Sequence, residues 1–268
     1  MTVRRQQPWE IRLGDCVAGM QQAVTEGVKA RLVFADPPYN QSWIYDPNDP
    51  RADDLPDDKF LSWCREWMEL LPRVLTPDGS AWILISDEYY ADFRNIADSV
   101  GFHYRQGIVW FESFGVNCSR KFNRTHRHIL HLTMDDRDFV FHADAPEVRR
   151  PSDRQTKYGD RRANPAGKLW DSVWGVNPAI PRVCGTFKEA IPDSPAPQLP
   201  LALLKPIIAV ASDPGDLVID PFVGNATTGV AALQLERRFL GWELREPIHQ
   251  IATKRMEEFQ RKRNTEEA

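Results

Sequence analysis

Short apolar runs rich in β-branched and aromatic residues alternate with longer amphipathic runs along most of this 268-residue chain. Strands separated by helices of this length form βαβ units, which assemble into a mostly parallel sheet with helices on its faces. The predicted strands are Trp9–Leu13, Arg31–Ala35, Ala81–Ser86, Gly107–Phe111, His128–Thr133, Leu217–Asp220 and Phe239–Trp242. The predicted helices are Cys16–Glu26, Asp57–Leu75, Glu88–Val100, Leu201–Ala211, Thr227–Leu235 and Pro247–Arg263. The runs 107–111 and 128–133 lack a helix between them, so we expect an antiparallel edge there.

The pattern changes between Phe141 and Pro200, where Pro, Arg, Asn and Gly dominate and apolar periodicity fades. Such a segment is typical of an insertion carried by a core, and not of a second hydrophobic domain. We therefore predict one α/β core built from residues 1–141 and 198–268, with residues 142–197 inserted between its two halves.

Charge and cysteine content restrict the class of protein. The net charge of −4 does not indicate a polyanion ligand, but basic residues gather in 119–131 and 149–168. The chain contains no apolar run of 18 residues or more, so we do not expect a membrane span. The four cysteines have no CxxC spacing, which favours a reduced, cytoplasmic setting and predicts no metal site.

The first motif that carries chemistry is the apolar run 32–35 followed by Asp36-Pro37-Pro38-Tyr39. The two prolines end the strand, and ligands of parallel α/β sheets bind at the carboxyl ends of strands. Asp36 and the Pro37 carbonyl offer two acceptors for the N–H bonds of an aryl amine, which would localise the nitrogen lone pair. Tyr39 offers a ring on which a planar base can stack.

The second motif is a strand, 217–220, that enters a helix through the glycine turn 221–226. Backbone N–H groups at such a helix start can hold a carboxylate, and Thr227 adds a hydroxyl. About twenty residues further on, a second strand ends at Glu243, where an acid is well placed to bind a ribose diol.

These two motifs, in this order, resemble the amino-methyltransferases of DNA, in the permuted β-type arrangement. The resemblance covers roughly residues 9–260, and includes Gly14-Asp15, the segment 75–79 and the approach to the cofactor strand at 194–201 and 214–216. Three further segments, 161–165, 171–174 and 181–185, are similar to a bacterial and phage subgroup. The resemblance implies a class I methyltransferase fold, Rossmann-like with a mostly parallel seven-stranded sheet, and S-adenosylmethionine as methyl donor.

The resemblance also implies roles for individual residues. The expected catalytic set is Asp36, Pro37, Pro38 and Tyr39. The expected cofactor contacts are Asp15, Gln198, Asp220, Phe222, Gly224, Asn225, Thr227 and Glu243. The residues expected to contact DNA are Arg120, Lys121, Arg124, Arg161 and Arg162, with 142–197 as the target-recognition region. Ala226 departs from the family's second glycine and Leu199 from a lysine, and a positive φ at Ala226 would cost about 1–2 kcal/mol.

The leading interpretation is transfer of a methyl group to the exocyclic N6 amine of adenine in double-stranded DNA. Methylation of cytosine N4 needs the same chemistry and stays open, because Asp36 favours adenine by family association only. An RNA or protein-amide methyltransferase would more usually carry Asn at that position. A non-catalytic DNA-binding protein is the alternative that Ala226 and Leu199 suggest. A homodimer and a cognate restriction endonuclease are further partners that the resemblance leaves open.

Overall fold

The computed structural model describes residues 7–42, 53–112, 118–175, 190–191 and 194–266. The segment 181–185, which contributes to the family resemblance, lies outside these residues. The strands are β1 (Trp9–Leu13), β2 (Ala30–Ala35), β3 (Leu75–Ile85), β4 (His103–Phe111), β5 (His126–Thr133), β6 (Arg149–Arg150), β7 (Lys168–Leu169), β8 (Val173–Trp174), β9 (Leu217–Asp220) and β10 (Arg238–Glu243). The helices are α1 (Cys16–Thr25), α2 (Asp57–Met68), α3 (Leu71–Val74), α4 (Tyr90–Ser99), α5 (Asp153–Thr156), α6 (Leu201–Ala211), α7 (Thr227–Gln234) and α8 (Glu246–Glu266).

The main sheet has eight strands in the order β1-β10-β9-β2-β3-β5-β4-β8. Strands β1, β10, β9, β2 and β3 pair in parallel, whereas β5 is antiparallel to both β3 and β4. The predicted mostly parallel sheet and its antiparallel pair are therefore confirmed. The seven expected strands are extended at one edge by the two-residue strand β8, which pairs in parallel with β4.

Helices cover both faces of this sheet, so the molecule has three layers. Side chains alternate between the faces along each strand. Phe34 and Trp82 lie in the cluster that packs against α6, α7 and α8. Val33 and Ile83 point to the opposite cluster, which packs against α1, α2, α3 and α4. No helix in the described part of the chain is long and apolar enough to cross a membrane.

One predicted helix, Asp57–Leu75, is wrong in its second half. Helix α2 ends at Met68, and the short helix α3 starts again at Leu71 with Pro72 in its first turn. Proline lacks an N–H and fits the first turn of a helix better than its interior, so Pro72 restarts the helix. The chain from Leu75 onward is already strand β3, six residues before the predicted start.

The inserted region packs against the core more closely than its composition suggests. Val148 and Trp174 are buried in the same cluster as the core helices, and Leu169 and Trp170 pack against it. Strands β6 and β7 form a separate antiparallel ribbon. The described part of 142–197 is therefore anchored to one edge of the sheet by β8 and by these apolar side chains.

Candidate active site

Four acidic residues lie at, or just after, the carboxyl ends of four neighbouring strands. In the sheet order β1-β10-β9-β2, the strands lead to Asp15, Glu243, Asp220 and Asp36 respectively. The turn after β1 is tied to β10, because the Gly14 N–H donates to the Glu243 carbonyl at 2.9 Å. The fold thus brings both sequence motifs, almost two hundred residues apart, to one edge of the sheet.

Asp36 and Tyr39 interact directly within the first motif. Both side chains are half-buried, as is Pro38, whereas Pro37 is buried. The Tyr39 hydroxyl donates a hydrogen bond to Asp36 Oδ1. Burial raises the pKa of the Asp36 carboxyl, and the nearby Arg127 guanidinium and the Tyr39 hydrogen bond oppose that rise. Burial and the Asp36 charge raise the pKa of the Tyr39 hydroxyl well above its ordinary value, so Tyr39 stays a neutral hydrogen-bond donor.

Arg127 also belongs to this site, although in the sequence it stands out only as part of the basic stretch 119–131. Its Nη1 donates to the Tyr39 hydroxyl at 3.0 Å, and its Nε lies 3.1 Å from Glu112 Oε1. The guanidinium carbon also lies 4.9 Å from the centre of the Tyr39 ring, a cation–π distance. The signal that could have revealed it is topological. Because β5 is antiparallel, its first residues lie at the edge where β2 and β3 end.

The glycine turn of the second motif holds a carboxylate, and that carboxylate is the chain's own Glu243. The Gly224 N–H donates to Glu243 Oε2 at 3.0 Å, and the Arg245 N–H donates to the other oxygen at 3.0 Å. Burial raises the pKa of Glu243 despite these two donors. Glu243 is thereby held in one orientation at the end of β10.

Ala226 has φ 58° and ψ 32°, the left-handed conformation, and is the N-cap residue of α7. Ala226 therefore has the positive φ whose cost was considered from the sequence. A residue with a Cβ is strained there by about 1–2 kcal/mol relative to glycine. The turn nevertheless closes, with the Ala226 N–H donating to the Val223 carbonyl at 2.8 Å.

Asp220, at the end of β9, is an acid whose pKa is strongly shifted by burial. It is only 2% exposed, and burial raises the pKa of its carboxyl to about 7. The neighbouring charges of Asp36 and Glu243 add to this rise, whereas hydrogen bonds from the Thr228 hydroxyl and the Phe222 N–H oppose it. The Phe222 N–H lies 2.8 Å from Asp220 Oδ1. The charged groups that raise the pKa of Asp220 are thus two further acids at the same edge of the sheet.

Asn225 and Thr227 are buried and are fixed by their neighbours. The Asn225 side chain accepts from the Ser194 hydroxyl at 2.6 Å and donates to the Ala196 carbonyl at 2.9 Å. Arg255 of α8 donates to the Thr227 hydroxyl oxygen at 3.0 Å, which leaves the hydroxyl proton of Thr227 to act as a donor. These contacts make Asn225 and Thr227 parts of a rigid wall at the start of α7.

The remaining expected cofactor residues surround this wall. The Asp15 side chain caps α1 by accepting from the Ala18 N–H at 3.0 Å. Gln198 Oε1 accepts from the Ile191 N–H at 3.0 Å. Phe222 meets Trp67 edge to face, with ring centres 5.2 Å apart, and Trp67 is fully buried. Phe222 therefore closes the site on the side of α2.

The basic residues expected to contact DNA are not equally available. Lys121 lies 3.7 Å from Glu88, and Arg124 lies 3.4 Å from the same acid. Arg120 and Arg161 are exposed. Arg162 is exposed as well, but it forms a two-point contact with Asp160 at 3.0 Å. Arg161 and Arg162 thus differ, although they are adjacent in the sequence.

In the described residues, no group of three or more histidine, cysteine, aspartate or glutamate side chains is arranged to hold a metal ion. The three histidines of β5 are split between the two faces of the sheet. His126 and His128 contact each other, whereas His131 stacks on Trp82 with ring centres 4.1 Å apart.

Comparison with known proteins identifies the class and then the family. Over 92% of this chain and 98% of the other, the fold matches the crystal structure of the M1.HpyAVI–SAM complex, with a TM-score of 0.66 at 22% identity. It matches PvuII DNA methyltransferase (cytosine-N4-specific) with a TM-score of 0.65 at 15% identity, over 92% and 86% of the two chains. The fold is that of the class I S-adenosylmethionine-dependent methyltransferases.

The sequence comparisons narrow this class. The family model described as DNA methylase matches residues 30–254. The chain is 32% identical to DNA adenine methyltransferase YhdJ of Escherichia coli K12, over 91% of this chain and 81% of the relative. It is 28% identical to the type II methyltransferase M.HpaI of Haemophilus parainfluenzae, over 84% and 68%. The chain therefore belongs to the DNA methylase family, and it is a DNA methyltransferase that uses S-adenosylmethionine.

The acids at the sheet edge fit this cofactor. S-adenosylmethionine carries a positively charged sulfonium, and a cation favours the ionised form of a carboxyl whose pKa has been raised by burial. Asp220, Asp36 and Glu243 all have raised pKa values in the protein alone. A bound sulfonium would supply positive charge to this edge.

Proposed function

We propose that this protein transfers a methyl group to the N6 amine of adenine in double-stranded DNA. The observation that carries the proposal is the position of Asp36. It follows the strand next to Asp220, so the carboxylate that would bind the amine lies beside the candidate cofactor residues. The 32% identity to a DNA adenine methyltransferase supports adenine as the target base.

The chemistry proposed for the first motif follows from its hydrogen-bonding capacity. S-adenosylmethionine supplies a methyl group that is activated by its positively charged sulfur. Asp36 and the Pro37 carbonyl accept the two N–H bonds of the target amine and so direct the nitrogen lone pair outward. To reach Asp36, the amine displaces the Tyr39 hydroxyl, which donates to Oδ1 in the free protein. The Tyr39 ring then packs against the base.

The target base must leave the duplex to reach this edge of the sheet, at a cost of a few kcal/mol for unpairing. The loop 118–125 carries Arg120, Lys121 and Arg124 and leads directly into Arg127 of the site. We propose that this loop binds phosphates next to the flipped base. Phe122, fully exposed at the middle of the loop, is an apolar side chain of the kind that can enter the space left in the stack.

We propose that the inserted region 142–197 is the target-recognition region. Its described part is anchored by β8, and it presents the exposed Arg161 on the connection between α5 and β7. Action on chromosomal DNA would place the protein in the bacterial cytoplasm, with the nucleoid. A homodimer and a cognate restriction endonuclease remain predictions.

The experiment that tests the function is the identification of the product. Unmethylated DNA is incubated with the protein and S-adenosylmethionine, digested to nucleosides, and analysed by mass spectrometry. We expect N6-methyldeoxyadenosine. N4-methyldeoxycytidine instead would establish the alternative target, which the structural likeness to a cytosine-N4-specific enzyme motivates. Absence of any methylated nucleoside would contradict the proposal.

A matched pair of variants ties the product to the site. Asp36→Ala is expected to abolish methyl transfer while changing the affinity for S-adenosylmethionine only a few fold, because Asp36 acts on the amine. Asp58→Ala, which removes an exposed carboxylate from α2, is the control and should retain activity. Near-normal turnover by Asp36→Ala would remove the role assigned to this carboxylate.

A further inference from the structure

A continuous chain of contacts extends the first motif beyond Asp36 and Tyr39 to two residues outside both motifs, Arg127 and Glu112. Arg127 stands at its centre, bonded to Glu112 on one side and to the Tyr39 hydroxyl on the other. The Tyr39 hydroxyl in turn donates a hydrogen bond to Asp36 Oδ1. The members come from different elements, since Arg127 lies on β5 and Glu112 follows β4.

We propose that Arg127 is a positioning residue for methyl transfer, which orients Tyr39 and supplies the positive charge that keeps Asp36 able to bind the amine. This proposal rests on the function proposed above. Arg127 itself does not contact the reacting nitrogen. It acts through Tyr39, which it holds by a hydrogen bond at 3.0 Å and by a cation–π contact at 4.9 Å.

The need for a cation follows from the groups around Asp36. An ionised aspartate only accepts hydrogen bonds, whereas a protonated one carries an O–H donor and is a weaker acceptor for the amine N–H. Burial and the Glu112 charge favour the protonated form of Asp36, and Asp220 lies close enough to interact with it. Against these, Arg127 supplies a positive charge and Tyr39 donates a hydrogen bond. When the amine replaces the Tyr39 hydroxyl, Arg127 still provides the opposing charge.

Arg127 suits this role because its guanidinium stays protonated. Burial lowers the pKa of its guanidinium, but the charges of Asp36 and Glu112 and the hydrogen bond to the Tyr39 hydroxyl outweigh burial and raise that pKa above the ordinary value. Glu112 fixes the guanidinium from the side opposite Tyr39, and its side chain is only 16% exposed. The two interactions together define one orientation for the arginine.

The test is the pH profile of kcat/KM for DNA, measured for the full-length protein at saturating S-adenosylmethionine. Arg127→Met removes the charge and keeps an unbranched side chain. We expect its acid limb to move to higher pH by about one unit, a tenfold loss on the acidic side that is largely recovered near pH 9. Arg127→Lys restores the charge without the forked geometry, so its limb should return toward the wild-type position.

Glu112→Gln provides a second variant with the opposite sign. Because the Glu112 charge raises the pKa of Asp36, its removal should move the acid limb to lower pH. General damage to the fold would not produce opposite shifts in the two variants. Arg137→Met, which removes an arginine that is 90% exposed on the surface, is the control and should follow the wild-type profile.

Melting temperature and the dissociation constant of S-adenosylmethionine are measured for every variant, and we expect the cofactor constant to change only a few fold. A loss in Arg127→Met that is equal at all pH values, or an unshifted limb in Glu112→Gln, would overturn the proposal that the charge of Arg127 keeps Asp36 able to bind the amine. The wild-type reaction in the same series tests the function separately. A wild-type protein that transfers no methyl group to DNA would contradict the proposed function itself.

Discussion

Replacing Asp220 by asparagine should change how the stability of the protein depends on pH. Asparagine keeps the shape of the side chain and an oxygen that can accept from the Phe222 N–H, which lies 2.8 Å from Asp220 Oδ1. It removes the ionisable group. The pKa of Asp220 is about 7 in the folded protein and near the ordinary 3.8 when the chain is unfolded.

The sign of the effect follows from proton binding. Below pH 3.8 the carboxyl is protonated in both states, so it contributes no pH dependence there. Between pH 3.8 and about 7 the unfolded chain loses this proton and the folded protein keeps it, so the free energy of unfolding falls as pH rises. One pKa unit corresponds to about 1.4 kcal/mol, which gives a total of roughly 4 kcal/mol. About 2.5 kcal/mol of this falls between pH 5 and pH 8.

The assay is urea unfolding followed by tryptophan fluorescence, without cofactor, at several pH values from 5 to 8. The free energy of unfolding of Asp220→Asn minus that of the wild type should rise by about 2.5 kcal/mol across this range. Other titrating groups largely cancel in the difference. Asp58→Asn, at an exposed position of α2, serves as control. Curves for the wild type and Asp220→Asn that run parallel would refute the argument that burial holds the proton on Asp220.

Three further predictions concern the cofactor, the turn and DNA. Glu243→Ala should weaken S-adenosylmethionine binding by roughly 1.5–3 kcal/mol if the acid binds the ribose, and an unchanged dissociation constant in calorimetry would contradict this. Ala226→Gly should leave the unfolding free energy nearly unchanged, because about 1–2 kcal/mol of strain is relieved while a similar amount of burial and chain entropy is lost. Ala231→Gly, equally buried inside α7, should cost about 2 kcal/mol by the same denaturation assay, and equal losses would argue against strain. Arg161→Ala should lower the salt slope of DNA binding by about one unit if Arg161 contacts a phosphate. Arg162→Ala should lower the slope less, because Arg162 is already paired with Asp160. Equal slopes for both variants and the wild type would show that neither side chain neutralises a phosphate.

The sheet and its acidic edge were predictable because they depend on local patterns. The strands before Asp36 and Asp220 are short apolar runs that end at proline, and parallel pairing places such ends together. The permuted order of the motifs does not disturb this, since sheet order and not chain order decides which ends meet. The helix break near Pro72 was not predicted, because the run 57–75 was assigned to one helix, although proline disfavours a helix interior.

The contacts of Arg127 and Gly224 were not predictable in the same way. The glycine turn was expected to bind a carboxylate of a ligand, but Gly224 donates to Glu243, nineteen residues further along the chain. Whether an N–H group meets a ligand or a side chain depends on the distance between two strands, which no local pattern encodes. Arg127 lay in a basic stretch, and its role depends on β5 being antiparallel to β3.

Charge in this protein is therefore sorted by position along the sheet edge. Where the cofactor is proposed to bind, Asp220 and Glu243 are buried acids with raised pKa values, and a cationic ligand supplies what they lack. Where the base is proposed to bind, the ligand is neutral and supplies no positive charge. There Arg127 supplies the positive charge that acts on Asp36. The product of S-adenosylmethionine has lost the sulfonium charge, so the same acids that favour the donor favour its neutral product less. We therefore expect these acids to distinguish the methyl donor from its product.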